Sequence, residues 1–293
     1  MRLSNLDKLY WPEDGITKGD LLGYYRDVAP TLLSHIRDRP FTMKRYPDGW
    51  AGRPFFRKDV TNYAPAWMKR VPVEVWPRGP AHAPRTIEVP AVNDEPSLLW
   101  MVNTGCIECH TWYSRVDRLD RPDWVVFDLD PPDDAGFSET VQIALLVKKV
   151  LDGLGLASFP KTSGAHGLHV LVPIERRHTY DDARRFAVGV AEHVAGAHAD
   201  IATTEWSKAK RRGVLIDARQ NAQGKTIASV YSVRPMPGAP VSTPLRWKEV
   251  KESLDPSAFT FDVVLGRLRR HGDLYEGVLK TRQRLGPALR AGL

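Results

Sequence analysis

The sequence predicts a mixed α/β fold in which helices pack around a central sheet. Three observations point there. Short apolar runs bounded by turn residues, such as "WVVF" at 124–127, read as buried strands. Amphipathic stretches with capping residues lie between them, such as "KGDLLGYYRDVAPTLLSHI" at 18–36. The 293 residues, 42% hydrophobic and 26% charged, supply ample core for one large domain or two intimate ones.

Taken in chain order, the first helix covers 18–36, with Thr17 as N-cap and Leu21, Leu22, Tyr25, Val28, Leu32 and Ile36 along one side. Pro30 is expected to kink or split it. Residues 40–92 are rich in Pro, Gly and short apolar alternations and read as small strands and loops. A helical piece near 98–104 precedes "CIECHTWYS", a strand. In "DWVVFDLDPPDD" (123–134) the strand should end near Asp130, because Pro131 and Pro132 cannot donate ladder hydrogen bonds. Ser138 is placed as the cap of a helix ending around Gly153–Gly155. "SFPKTSGAHGLHVLVPI" (158–174) gives two extended pieces around a Gly-bearing turn. Thr179, with Asp182 three residues on, starts another helix. A strand in "RRGVLIDARQN" reaches Asp217, "TIASVYSVRPMPGAPVSTPL" (226–245) gives one more strand, and "TFDVVLGRLRRHGDLYEGVL" closes as helix.

The totals narrow the function classes. No apolar run approaches a membrane span, and the N-terminus lacks an apolar signal core, so a cytoplasmic protein without membrane attachment is expected. Forty-two Lys+Arg against 35 Asp+Glu give +7, a balance that suits a polyanionic partner. "CIECH" (106–110) matches a haem-attachment pattern, and it also leaves open a zinc site and a redox pair. Two buried, reduced thiols are the expected state.

Chemistry concentrates at three strand ends. Alternation along a strand points Asp128 and Asp130 the same way, about 6.5 Å apart at Cα. Adjacent carboxylates repel unless a cation sits between them, and hard divalent ions prefer such oxygens. Asp217 ends another strand in "VLID". Between them, "KTSGAHGLHV" places Ser163, Gly164, Gly167 and His169 at a strand–turn–strand where the backbone can approach a phosphate. Three carboxylates from two strands suit two-metal phosphoryl transfer.

"DLDPP", "KTSGAHGLHVLVPI" and "LID", in that order, resemble the three motifs of the archaeo-eukaryotic primase superfamily. They are most similar to the polymerase domain of the bacterial non-homologous end-joining ligase called ligase D. The resemblance extends through "NLDKLYWPEDGITKGDLLGYY", "KRYPDG", "FFRK" and "YSVRPMPGAPVSTPL". It implies a primase-type catalytic core, with a central mixed or antiparallel sheet flanked by helices. Residues 1–293 would form a single domain, with 1–110 as the DNA-binding part and 111–293 as the catalytic core.

The resemblance also implies a template-dependent polymerase for DNA ends and short gaps in break repair. Asp128, Asp130 and Asp217 would be catalytic ligands of two Mn²⁺ or Mg²⁺ ions. His169 and Arg234 would hold the triphosphate of an incoming NTP or dNTP, with Lys44 close by. Ser163 would meet the 2′-OH, consistent with a ribonucleotide preference. Lys8 and Lys18 match a pocket for a downstream 5′-phosphate, and Phe55 and Phe56 match a pair on which a template base stacks. His166 stands where relatives often carry a basic residue, and Glu108 and His110, rather than the cysteines, are the meaningful positions of "CIECH".

No K-x-D-G adenylation motif is present. The expectation is a stand-alone, nucleoid-associated polymerase working beside a separately encoded ligase and end-binding protein. The rival readings are a non-catalytic module that bridges DNA ends, a metal-dependent glycosyltransferase, and a primase that starts chains unaided.

Overall fold

The computed structural model describes residues 2–75, 83–132 and 136–286. Asp133 and Asp134, part of the acidic stretch after the Asp-x-Asp strand, lie outside the described residues. The chain starts with a hairpin, β1 (Leu9–Trp11) and β2 (Ile16–Thr17), that runs straight into helix α1 (Lys18–Ile36). Thr17 accepts from the Asp20 amide while Asp20 caps the Thr17 amide, so the expected N-terminus forms as a full capping box. Pro30 sits inside the helix without ending it. Next come β3 (Phe41–Arg45), β4 (Phe55–Arg57), the hairpin β5 (Arg70–Val75) and β6 (Arg85–Pro90), α2 (Glu95–Asn103) and β7 (Cys106–Thr111). A small hairpin, β8 (Ser114–Arg115) and β9 (Arg118–Pro122), leads to β10 (Trp124–Asp130) and α3 (Phe137–Gly153). The chain then forms β11 (Phe159–Thr162), β12 (Leu168–Pro173), α4 (Tyr180–Ala197), β13 (Ala202–Thr203), β14 (Val214–Asp217) and β15 (Ile227–Ala228). Helices α5 (Phe261–His271) and α6 (Glu276–Lys280) close it.

Two sheets carry the site. The five-stranded sheet has the order β11-β12-β10-β14-β13 and is antiparallel except at β13–β14. The four-stranded sheet has the order β15-β7-β3-β4. One hydrophobic core runs from Tyr10 to Leu285, shared by residues on both sides of position 110. Beneath it lies a buried ion pair, Arg39 to Asp123 at 2.7 Å, with the guanidinium 3.6 Å above the Trp124 ring. Strand β14 is too short to satisfy all of β10. The Asn221 side chain takes over at Val126, accepting from its amide at 2.9 Å and donating to its carbonyl at 2.7 Å.

The elements depart from the sequence reading at four places. Helix α2 begins at Glu95, capped by Asp94. Ser138 lies inside α3, whose N-cap is Gly136 and has no side-chain cap bond. The strand expected over 226–245 shrinks to Ile227–Ala228, because Tyr231 and Ala239 take left-handed backbone (φ +64° and +49°) that no strand admits. Their segment is pinned by isolated pairs, Val233 with Val241 and Lys161 with Pro244. The final helix is two, separated after His271 by Gly272 at φ +66°.

Candidate active site

Strand alternation and register assemble the acids. In β10 Leu129 is buried while Asp128 and Asp130 share the more open face. Antiparallel pairing puts Asp128 opposite Asp217 on one side and opposite His169 on the other. Burial, and then the charge of Asp128, raises the Asp217 carboxyl above its ordinary value. Burial would raise Asp128 too, but His169, Lys161 and Arg234 outweigh it and hold it low. Asp130, half exposed, is held by Arg211, whose Nη1 lies 2.8 Å from Oδ2. Among the described residues, no three His, Cys, Asp or Glu side chains are already gathered closely enough to hold a metal ion.

The turn beside the acids is shaped by two glycines. A Cβ on Gly167 would sit 2.2 Å from the Leu129 carbonyl oxygen. Gly164 has φ +75°, and a Cβ there would lie 2.5 Å from Arg234 Cγ. Ser163 holds the turn closed, its Oγ accepting from the Ala165 and Gly167 amides at 3.1 and 3.0 Å. Its carbonyl accepts from Arg234 Nη1 at 2.6 Å. A cavity of about 310 Å³ opens here, with His110, Asp128, Asp130, Ser163, His169 and Arg234 in its wall. His166 lines it too, and also borders a neighbouring cavity of about 340 Å³.

Lys161 orients His169 from behind. It is fully buried and places Nζ 2.7 Å from His169 Nδ1, 2.9 Å from the Ala228 carbonyl and 2.6 Å from Ser242 Oγ. His169 Nε2 stands 3.3 Å from Asp128 Oδ1, a carboxylate oxygen that can only accept. Nε2 therefore carries the proton and Nδ1 accepts from Lys161. Burial and the charge of Lys161 push the imidazole down to about 4, so it is neutral at pH 7.

The second group of charges comes from the other sheet. Lys44 and Glu108 are cross-strand partners on β3 and β7. Glu108 is fully buried and binds Lys44 at 2.8 Å and His110 at 2.7 Å, and it accepts from the Tyr46 hydroxyl. Arg234 Nε lies 3.2 Å from Oε2, at ion-pair distance without hydrogen-bond alignment. Burial would raise the Glu108 carboxyl, but these neighbours hold it well below the usual carboxylate range. Cys106 and Cys109, on the same strand, are both free and buried. Burial raises both thiols, Cys109 to about 12, which makes them poor nucleophiles and poor metal ligands.

Two further groups of predicted residues lie apart from the cavity. The β1–β2 hairpin brings Lys8 and Lys18 together, with the Lys18 amide bonded to the Lys8 carbonyl at 2.8 Å. Lys18 Nζ is buried against the Ser4 carbonyl and Asn103 Oδ1, and Lys8 Nζ meets the Pro47 carbonyl. Burial, and then the charge of Lys8, lowers Lys18. On β4, Phe55 and Phe56 are 41% and 63% exposed, although large aromatics are ordinarily covered. Their cross-strand partners Arg45 and Lys44 stand over the two rings at 5.3 and 5.7 Å.

The profile described as "LigD, primase-polymerase domain" matches residues 17–275. The chain belongs to the LigD primase-polymerase domain family. It is 32% identical over 274 residues to the bifunctional non-homologous end joining protein LigD of Bacillus subtilis, covering 93% of this chain and 43% of that one. Against the multifunctional LigD of Mycolicibacterium smegmatis it is 33% identical, covering 94% of this chain and 35% of that protein. The chain thus spans less than half the length of these relatives. The polymerase domain of Mycobacterium tuberculosis ligase D, solved in complex with DNA, superposes with a TM-score of 0.86 at 31% identity. That match covers 95% of this chain and 97% of the other, so the primase-type fold expected from the motifs is the observed one.

For a LigD polymerase domain, sequence reasoning singled out most of the residues that meet here and missed three, Tyr46, Lys161 and Arg211. Lys161 reads as an ordinary surface lysine, yet it is buried on β11 with Pro160 and Thr162 buried on either side of it. Arg211 reads as one of a solvated charge run, "KAKRR", yet its side chain is 6% exposed.

Proposed function

We propose that the chain is a template-dependent polymerase that extends DNA ends and short gaps in end-joining repair, with ribonucleotides preferred. The observation that carries this reading is that one cavity has members of two charge groups in its wall, Asp128 and Asp130 of the first and Arg234 of the second. Carboxylates Asp128, Asp130 and Asp217 come from one sheet. Of the two cations joined through Glu108, Lys44 comes from the other sheet and Arg234 from the irregular segment that follows β15. A nucleoside triphosphate and a primer 3′-hydroxyl need both.

In this reading Asp128, Asp130 and Asp217 hold two Mn²⁺ or Mg²⁺ ions. The donor set fits, since hard divalent ions favour carboxylate oxygens and the charge of Asp128 disfavours that of the opposed Asp217. When bound, the ions supply charge neutralisation at the attacking and leaving oxygens. Arg234 and His169 hold the phosphates, and Lys44 adds positive charge beside them. The Ser163 hydroxyl, acceptor of two amides, keeps its own proton to donate to a ribose 2′-oxygen. Lys8 and Lys18 receive the downstream 5′-phosphate, and Phe55 and Phe56 stack on a template base, worth about 1–3 kcal/mol per base.

The test is extension of a gapped duplex bearing a 5′-phosphate, with each rNTP or dNTP and Mn²⁺ or Mg²⁺, for wild type, Asp128→Ala and Ser163→Ala. Templated addition that favours rNTPs, vanishes in Asp128→Ala and loses sugar preference in Ser163→Ala is the expected result. Tight gap binding without incorporation under any condition would replace this reading with the end-bridging module.

A further inference from the structure

Glu108 is a buried carboxylate that touches no expected substrate atom, yet both phosphate-facing cations converge on it. It is fully buried, and burying a charge is costly unless every oxygen is paired. Here each oxygen is paired twice: Oε1 with Lys44 Nζ and the Tyr46 hydroxyl, Oε2 with His110 Nε2 and Arg234. We propose that Glu108 is a positioning residue for the triphosphate, a fixed counter-charge that sets Lys44 and Arg234 in their binding geometry before any nucleotide arrives. This rests on the polymerase reading above.

Lys44 and Arg234 are like charges on long side chains, 23% and 19% exposed. Without an anion between them they would repel, and each would retain rotamer freedom that must be given up on binding. Glu108 removes both penalties in the free protein. Arg234 is clamped at a second point, Nη1 to the Ser163 carbonyl, so its orientation couples the carboxylate hub to the glycine turn. His110 is kept neutral by burial against the pull of Glu108 and donates its Nε2 proton inward, which leaves Nδ1 as an acceptor. The hub is therefore +1 overall, two cations and one anion. The anion sits behind the cations, where it orients them and is itself shielded.

Charge alone and preorganisation predict opposite signs for one substitution. Glu108→Gln keeps the shape and deletes a negative charge from an anion site. On net charge alone, triphosphate binding would tighten. On preorganisation it weakens by about tenfold, the scale of removing one charge-assisted hydrogen bond at the cavity.

The experiment measures the Kd of a non-hydrolysable nucleoside triphosphate by calorimetry, beside the Kd of 5′-phosphorylated gapped DNA and steady-state extension. The expected result is about tenfold weaker nucleotide binding, a raised KM, near-normal kcat at saturating nucleotide and unchanged gap affinity. Unchanged or tighter nucleotide binding by Glu108→Gln overturns the proposal. Should that variant not fold, Tyr46→Phe removes one Oε1 donor without touching a cation. It should weaken nucleotide binding by about two- to fourfold, and unaltered affinity again overturns the proposal. Failure of wild type itself to bind the triphosphate overturns the nucleotide reading of the cavity, a result distinct from equal binding by wild type and variant.

Discussion

Gly164 offers a perturbation whose size can be worked from the structure. Its φ of +75° costs an alanine roughly 1–2 kcal/mol. The new methyl would also lie 2.5 Å from Arg234 Cγ, 2.7 Å from the Ser242 amide nitrogen and 3.0 Å from the Val241 carbonyl carbon. Two of those neighbours are backbone and cannot swing aside, so overpacking adds about 1–3 kcal/mol. The sum for Gly164→Ala is about 2–5 kcal/mol. Gly155 supplies the control, with a similar φ of +70° and nothing within 4 Å of its would-be Cβ. Gly155→Ala should cost only the conformational part, about 1–2 kcal/mol. Urea denaturation followed by tryptophan fluorescence measures both. Because Arg234 is the displaced side chain, nucleotide affinity should fall in Gly164→Ala and stay unchanged in Gly155→Ala. Equal destabilisation by the two would refute the steric half of the reasoning.

Three other outcomes are expected. Asp123→Ala leaves Arg39 buried without its partner and should cost about 3–5 kcal/mol, whereas Asp117→Ala, at the exposed pair with Arg176, should cost under about 1 kcal/mol; comparable urea midpoints for the two would contradict the assignment. Thr17→Ala and Thr179→Ala should each lose about 1 kcal/mol of capping, while Ser138→Ala, which caps nothing, should stay within about 0.5 kcal/mol of wild type. Burial would raise the Asp273 carboxyl, but bonds to His35 and Tyr231 lower it below its ordinary 3.8. A lowered acid contributes stability that is complete above the unfolded value and lost as pH falls through the folded one. Asp273→Asn should therefore be less stable at pH 7 and lose less on acidification below about pH 4, and parallel pH profiles for the two proteins would rule this out.

Local rules made much of this molecule legible. Thr17 with Asp20 and Thr179 with Asp182 mark their helices because a capping box is completed within four residues. Asp128 and Asp130 share a face because side chains alternate along any strand. What was not legible depends on pairing between distant segments. Strand-end character and the family resemblance group Asp217 with Asp128. That they stand directly opposite, and that Glu108 meets Lys44, follows only once antiparallel register is set. The segment 229–245 has strand-like composition, yet left-handed Tyr231 and Ala239 let its backbone bond through Ser232 and Ser242 instead. Lys161 is invisible for another reason, since nothing in a lone lysine announces that three buried acceptors await it.

Those three bonds have a consequence for how the protein can vary. Lys161 belongs to the five-stranded sheet and grips the Ala228 carbonyl of the four-stranded one, while Arg234 reaches back to Ser163. The cavity is thus a seam stitched from underneath, and the spacing between its acidic and basic lips is set by buried fasteners rather than by surface loops. Loops can lengthen, shorten or change sequence around the rim without retuning that spacing. A change at one stitch alters the gauge of the whole seam, so tolerance and function part company within a few residues of each other.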